Sequence, residues 1–443
     1  MTIAGGAEAA GRPLEPEDLA ILALENDTIV GHVCKVVVTR GPVGRRELLE
    51  RLERRLALAP LLTTRLDAPE GGRAWVLDPR FDLSLHVTEH GGPGPVDRAG
   101  LLEAVAAVFE QHLDRSRPLW HMTTVDLDDG GTALIWRIHH ALADGATGNR
   151  LADLLLWDRD DPEPVAGGGG EGEGEGVMTP ALAAAHEADD ARRRLHLAGL
   201  VRREYARQHG RSPFDGVVGR RRAMGLASAP LGTLHRAARA VDRATVNDAL
   251  LAVVAGALRR WIEEQHGAVR DLRVRVPVSM HHEGDDASNR DSYFFVDLPV
   301  HVADPVERLR YVRRETAVRK TSRDAEELEQ LHRELAAVPH LRSLVARIED
   351  SPRRFAVCVS NVPGPKKPVA VLSRPVSGLF GFAEIGLHHA LRITADSDAD
   401  RIFFGFCADP DLVPEVQAMA EAAEAEAAAL IAATEPAAAT SPP

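Results

Sequence analysis

The sequence predicts an α+β fold built in two lobes. Three observations point to it. Strand-like and helix-like periodicities are mixed along the chain without strict βαβ alternation, which suggests α+β layers. The 443 residues are enough for two large lobes, each with its own core. An acidic tract beginning at Asp158 and running into Gly167–Gly176 cannot bury a core and divides the chain. The expected organisation is a first lobe over 14–157, a flexible Gly/Glu linker over 158–179, a second lobe over 180–433 and a disordered tail over 434–443.

Taken in order, Met1–Pro13 is small and polar and is expected to fray. Val36-Val37-Val38 and Trp75-Val76-Leu77 have the β-branched and aromatic residues of strands. Leu101–Leu113 places Leu101, Leu102, Val105, Val108, Phe109 and Leu113 on one helical stripe. Ala133–Ile138 reads as a buried strand, and Asn149–Trp157 as a helix with Leu151, Leu154 and Leu155 on one face. A charged helical region follows the tract, over 180–209. Thr245-Val246-Asn247-Asp248 then precedes an amphipathic helix with Leu250, Leu251, Val254, Leu258 and Trp261 on its stripe. Leu272–Ser279, Tyr293–Val300, Arg354–Val359 and Ile402–Cys407 read as strands, and Val413–Ala433 as an Ala/Glu-rich helix.

Composition narrows the function classes. A formal net charge of −13 argues against sequence-independent nucleic-acid binding and against simple adhesion to anionic membrane. Cys34, Cys358 and Cys407 are far apart and odd in number, which fits a reducing cytoplasm without a disulfide framework. The first 17 residues lack the basic flank and apolar core of a signal peptide. No run of 18 apolar residues is present to span a bilayer.

The chemistry concentrates in His139-His140-Ala141-Leu142-Ala143-Asp144-Gly145, an HHxxxDG motif at the end of the strand Ala133–Ile138. Neighbouring strand residues face opposite ways. His140 therefore shares its face with Ile138, Trp136 and Leu134, and His139 shares its face with Arg137, Ile135 and Ala133. An apolar wall disfavours imidazolium and keeps a ring able to accept a proton, so His140 is the expected base. Asp144 reads as a structural anion that fixes the loop through an arginine, with Arg275 or Arg137 as its partner. Gly145 suits close backbone approach or a positive φ. Two satisfied structural histidines, or a metal site, are the competing readings of the pair. The metal reading lacks HExxH spacing and a nearby cysteine pair.

Six blocks in order resemble the bacterial wax ester synthase/diacylglycerol acyltransferase family, of the CoA-dependent acyltransferase superfamily that also holds chloramphenicol acetyltransferase and condensation domains. They are Leu113–Trp120 ending in Pro-Leu-Trp, the HHxxxDG motif, Ser212-Pro213-Phe214-Asp215-Gly216 with Arg220-Arg221, Thr245–Asp248, Val276-Pro277-Val278-Ser279, and Val359–Pro365. The resemblance covers about Leu14 to Ala420. It implies two chloramphenicol-acetyltransferase-like lobes with a tunnel and the active site at their interface. It also implies an acyl-CoA (or acyl carrier protein) thioester as co-substrate and a hydroxylated small molecule or lipid as acceptor. His140 would deprotonate the acceptor, without a covalent acyl-enzyme, a resident cofactor or a metal.

The resemblance leaves the oxyanion donor open among Asn247, Ser360 and Asn361. Asn247 also reads as a helix cap, with Asp248 beside it, and Ser360–Gly364 as a turn. Pro118-Leu119-Trp120 is expected to pack in the core. Departures fall at His121 (Glu is usual), at Ser288-Asn289, and at Arg392–Asp396, which lacks the family's Ser-Tyr pair, so the acceptor side is expected to differ. The pairs His281-His282 and His388-His389 are expected to have surface or packing roles. The leading function is an acyl-CoA:alcohol O-acyltransferase yielding wax ester or triacylglycerol. The alternatives are a tailoring acyltransferase of specialised metabolism and a catalytically silent binding or scaffold relative. A cytoplasmic location, at most peripheral to a membrane or lipid droplet, goes with all three.

Overall fold

A computed structural model of the chain describes residues 11–70, 72–92, 94–158, 210–267, 270–279, 291–320 and 351–435. Two six-stranded sheets carry the architecture. The first contains β2 (His32–Thr39), β5 (Val87–Glu89), β6 (Trp120–Asp126), β7 (Thr132–His139), β12 (Ala370–Val371) and β13 (Arg374–Ala383), in the order β12-β13-β2-β7-β6-β5. The second contains β8 (Ala223–Pro230), β9 (Leu272–Ser279), β10 (Asp291–Leu298), β11 (Val357–Pro363), β14 (Leu391–Ser397) and β15 (Arg401–Ala408), in the order β10-β9-β11-β14-β15-β8. A small antiparallel sheet joins β1 (Arg12–Pro13), β4 (Ala74–Leu77) and β3 (Thr64–Leu66). Helices accompany both large sheets, so the α+β class is as expected.

The first sheet is completed by the later part of the chain. β13 runs antiparallel to β2, from Val376 opposite Thr39 to Ala383 opposite Val33. Proline and two glycines interrupt the strand pattern of this segment, which hides it from a periodicity reading. One of those glycines explains how the sheets meet. A Cβ on Gly405 of β15 would lie 1.9 Å from the carbonyl oxygen of Gly381 of β13. Only glycine permits that backbone-to-backbone approach.

β7 is one of the two central strands of the first sheet and is buried throughout. Its alternation divides the interior. Ala133 and Ile135 belong to a core shared with the second sheet and its helices, while Leu134, Trp136 and Ile138 belong to the core of the first.

The helix Val246–His266 departs from the expected amphipathic pattern. Every residue from Asp248 to Leu258 is buried, because alanines and Gly256 fill the face opposite the large aliphatics. The helices Pro305–Lys320 and Val416–Thr434 pack on it. A Cβ at Gly256 would lie 2.4 Å from the Glu426 carboxylate, which there pairs with buried Arg308.

Several boundaries move, two of them because a capping aspartate decides them. Asp144 starts the helix Gly145–Leu155 before Asn149, and Asp97 starts Arg98–Phe109 before Leu101. The last helix starts at Val416, after Glu415 in a left-handed conformation. β11 begins at Val357 and extends past Val359 to Pro363, so Ser360–Pro363 is strand and not the start of a turn. Of the expected linker, only Asp158 is among the described residues; it pairs with Arg51 and accepts from the backbone N–H of Leu372. The helical region expected over 180–209, the pair His281-His282 with Ser288-Asn289, and the tail from 436 lie outside them.

Candidate active site

A cavity of about 340 Å³ opens between the two large sheets. β7 supplies Trp136 and Ile138, with His140 immediately after it; β2 supplies Val33, Cys34 and Lys35; β13 supplies Gly381, Phe382 and Ala383. The second sheet contributes Pro277 of β9, Ser360, Asn361, Val362 and Pro363 of β11, and Arg392, Thr394 and Asp396 of β14. Asp144, which caps the helix Gly145–Leu155, and Gly145, Ala146, Gly148, Asn149, Arg150 and Asp153 along it line another side.

The two histidines take opposite roles, as alternation along β7 requires. His140 keeps strand-like pairing, its N–H donating to the Gly31 carbonyl at 2.9 Å, and its ring lines the cavity. Burial pushes its pKa down, and the Arg392 guanidinium adds to the shift against the opposing charge of Asp144, to about 4. At neutral pH His140 is therefore an unprotonated imidazole facing the cavity. His139 is 1% exposed and points away. Its Nδ1 accepts the Ala141 N–H at 3.1 Å, which assigns the ring proton to Nε2, 3.3 Å from Glu25. Burial opposes ionisation of Glu25, but hydrogen bonds from His139, His112 and Arg115 bring its pKa down to about 2. His139 is thus a strut between β7 and the loop carrying Glu25.

Asp144 is fully buried and caps the helix that follows, its carboxylate accepting the Thr147 N–H at 2.7 Å. Of the two arginines expected near it, Arg137 donates to the Gln111 carbonyl, and Arg275 lies 3.9 Å over the Tyr293 ring. Gly145 meets the requirement for close approach: a Cβ there would stand 3.1 Å from Val362. Asn149 then donates to the Pro363 carbonyl at 2.9 Å, so this helix ties the motif to β11 across the cavity.

Ser360 and Asn361 reach the cavity from β11, whereas Asn247 does not line it and contacts Asn361 at 3.4 Å. Helix capping belongs to Thr245 and not to Asn247. Thr245 and Asp248 form a reciprocal capping box, and buried Asp248 also accepts from Thr316 Oγ1 at 2.6 Å. Trp120 is a core residue, its indole N–H donating to the Leu62 carbonyl at 2.8 Å. His121 does not line the cavity and pairs across the sheet with Arg137. His389 is buried and stacks on Phe355 at 4.0 Å, a packing role.

Three cavity residues were not singled out as site residues by the sequence reading: Lys35, Asn149 and Gly381. The lone charge of Lys35 within an apolar strand was the one available cue. Lys35 Nζ lies 2.7 Å from Asp396 and also contacts Asn149. Among the described residues, no cluster of three His, Cys, Asp or Glu side chains is assembled that would hold a metal ion.

Two domain models of one protein family match the chain. The wax ester synthase/diacylglycerol acyltransferase catalytic domain matches residues 14–250, and the WS/DGAT C-terminal domain matches residues 287–430. The chain belongs to the wax ester synthase/diacylglycerol acyltransferase family. It is thereby an acyltransferase, and alcohols are the acceptors of this chemistry. It is similar to a probable diacylglycerol O-acyltransferase, tgs2, of Mycobacterium tuberculosis, at 28% identity over 91% of this chain and 95% of that one. Its fold matches the wax ester synthase/diacylglycerol acyltransferase of Marinobacter aquaeolei VT8, with a TM-score of 0.71, 24% identity, and coverage of 96% of this chain and 99% of that chain. It also matches the starter condensation domain of rhizomide synthetase, solved with C8-CoA and Leu-SNAC, with a TM-score of 0.56, 13% identity, and coverage of 96% and 94%. The two-lobed family fold is therefore the fold of this chain. Among the described residues, no helix of this family member is long and apolar enough to cross a membrane.

Proposed function

We propose that this chain moves an acyl group from acyl-CoA to the hydroxyl of an alcohol, with His140 as general base. One observation carries the reading: His140 faces a cavity walled by both sheets, and burial with Arg392 keeps its imidazole unprotonated near neutral pH. His140 takes the hydroxyl proton as the oxygen attacks the thioester carbonyl carbon. The tetrahedral intermediate breaks its C–S bond, and the departing sulfur receives the proton from His140. A positioned base of this kind is worth ~10²–10⁴-fold in rate. A thiol nucleophile is not needed, and burial pushes the pKa of Cys34, the cysteine at the cavity, up to about 12.

Ser360 and Asn361 are the candidate donors to the developing oxyanion, with Asn247 positioning Asn361. His139, Asp144 and Gly145 hold the motif in place, and Asp248 anchors the helix behind Asn247. Wax ester and triacylglycerol are the products in this reading, with peripheral contact to a lipid surface where the acceptor is a lipid. A second reading keeps the chemistry but takes a carrier-protein thioester and a polar small-molecule acceptor. The charged cavity residues Lys35, Arg150, Asp153, Arg392 and Asp396 favour it on the acceptor side.

The test uses octanoyl- and palmitoyl-CoA with an alcohol panel, measuring thiol release and product mass. Alcohol-dependent ester formation that falls ~10²–10⁴-fold in His140→Ala supports the reading. Thiol release indifferent to alcohol, or full turnover by His140→Ala, overturns it.

A further inference from the structure

The cavity reaches solvent at the end away from His140, where the chain leaves β11. Arg150 and Pro363 both line the cavity and are both exposed, so the opening lies between the helix Gly145–Leu155 and the end of β11. Asn149, beside Arg150, donates to the Pro363 carbonyl at 2.9 Å, which fixes the two sides of the opening against each other.

The segment beyond Pro363 crosses from the second sheet to β12 at the edge of the first. Its start is pinned. Gly364 and Pro365 line the cavity, a Cβ on Gly364 would stand 2.2 Å from the Ser397 carbonyl oxygen, and Pro365 is buried. Lys366 and Lys367 come next. Both are exposed, and neither makes an ion pair or a side-chain hydrogen bond among the described residues. In a chain of net charge −13, two adjacent uncompensated ammonium groups beside the opening reverse the sign of charge locally. On the helix side, Arg150 and Asp153 balance each other in charge.

The distance from the base to this opening fits one ligand chemistry. Arg392, whose charge acts on His140, sits opposite Cys358 of β11, and Pro363 is five residues further along that strand. At about 3.3 Å per residue, β11 carries the cavity wall about 16 Å from the level of His140 to the opening. In an acyl-CoA, about 13 bonds separate the thioester sulfur from the first phosphorus, and an extended chain gains about 3.3–3.6 Å for every three bonds, so this arm spans about 15 Å. A thioester held at His140 therefore brings its diphosphate out beside Lys366 and Lys367.

We propose, resting on acyl transfer from a thioester at His140, that Lys366 and Lys367 form the site for the diphosphate of the acyl donor, so that the donor enters between the helix and β11 and is a coenzyme A thioester. An exposed ammonium gains little from one distant charge and more from a group that concentrates several, and the attraction weakens with salt. CoA presents a diphosphate and a 3′-phosphate there, whereas the pantetheine arm of a carrier protein presents a single phosphodiester. The lysines therefore favour CoA of the two donor types.

The experiment compares octanoyl-CoA with S-octanoyl-pantetheine, which has the same arm and no phosphate, by calorimetric binding and by kcat/KM with 1-decanol. At low ionic strength octanoyl-CoA is preferred by about fivefold or more on both measures, and added salt reduces the preference. Lys366→Ala/Lys367→Ala brings the ratio to within about twofold, and Lys366→Arg/Lys367→Arg retains it. Both thioesters are measured on the same variant, so a general loss of activity cancels from the ratio.

A preference that survives the double alanine variant, or no preference in the wild-type protein, overturns the site, while ester formation in the same assays still supports acyl transfer. Preferential binding that collapses in the variant, without ester from either thioester, retains the site and removes the acyl-transfer reading. Binding to phosphatidylglycerol vesicles that is lost in the double variant, with the donor preference intact, assigns the lysines to a lipid surface and overturns the proposal.

Discussion

At the scale of single residues, the paired histidines are separated by their environments. His140→Ala is expected to lower turnover ~10²–10⁴-fold with the melting temperature nearly unchanged. His139→Ala removes a buried strut and a hydrogen bond to Glu25, so its larger effect is on stability, read by thermal unfolding. The pH dependence follows from His140, whose pKa lies near 4. Only its unprotonated form accepts a proton, so kcat/KM should stay level from neutral pH down to about 5 and fall below about 4. Replacing Arg392 with Gln removes a positive neighbour and makes imidazolium easier to form. The acid limb should then move upward, part of the way to the usual histidine value. An unmoved limb in Arg392→Gln would assign the shift to burial alone. This much was legible in the sequence, because strand alternation distinguishes neighbours. The glutamate behind His139 was not, because Glu25 is 114 residues away.

At the scale of elements, two caps set the frame of the site. Asp144 orders the helix that carries Gly145 and Asn149 toward β11, so Asp144→Ala should cost about 0.5–2 kcal/mol of stability and reduce turnover through misplacement of β11. Denaturant unfolding and kcat measured on one preparation test both effects. The helix Val246–His266 is buried along its middle, so Leu251→Ala should destabilise by about 2–5 kcal/mol. A surface amphipathic helix would lose much less at most of its positions. Periodicity shows a stripe of large aliphatics and leaves the alanine face unread, since alanine is equally at home on a solvent face and between packed helices. It also leaves Ser360–Gly364 open to a turn, on the local preferences of Asn361 and Gly364. Parallel pairing of β11 with β14, from Cys358 opposite Arg392 onward, overrode that preference.

At the scale of the whole molecule, the two halves of the chain are interlocked and not merely adjacent. β13 supplies a strand to the first sheet, and Glu384 just beyond it accepts the Val30 N–H at 2.9 Å and pairs with buried Arg222. A chain cleaved at a protease site engineered into 167–176 should therefore co-elute as two fragments under native conditions. Separation by size exclusion without denaturant would contradict this interlocking. Acid stability follows from the whole set of buried histidines. Burial lowers the pKa of His32, His86, His121 and His140, so between about pH 6.5 and 4 the unfolded chain binds protons that the folded chain refuses. Their contribution is full above pH 6.5 and is lost as the pH falls toward 4. The melting temperature should decline over that interval and be insensitive to these groups above it.

The sequence by itself determined the α+β class, the strand that ends in the motif and the histidine that faces the cavity. Each depends on periodicity or capping within a few residues, where local geometry is encoded directly. Tertiary structure alone decided the partners: Lys35 with Asp396, Glu25 with His139, and Gly381 against Gly405. These pairs join residues from 24 to 361 positions apart, and no local period carries their register. Contacts of that range form only when the sheets pack, and packing is set by the summed fit of both cores.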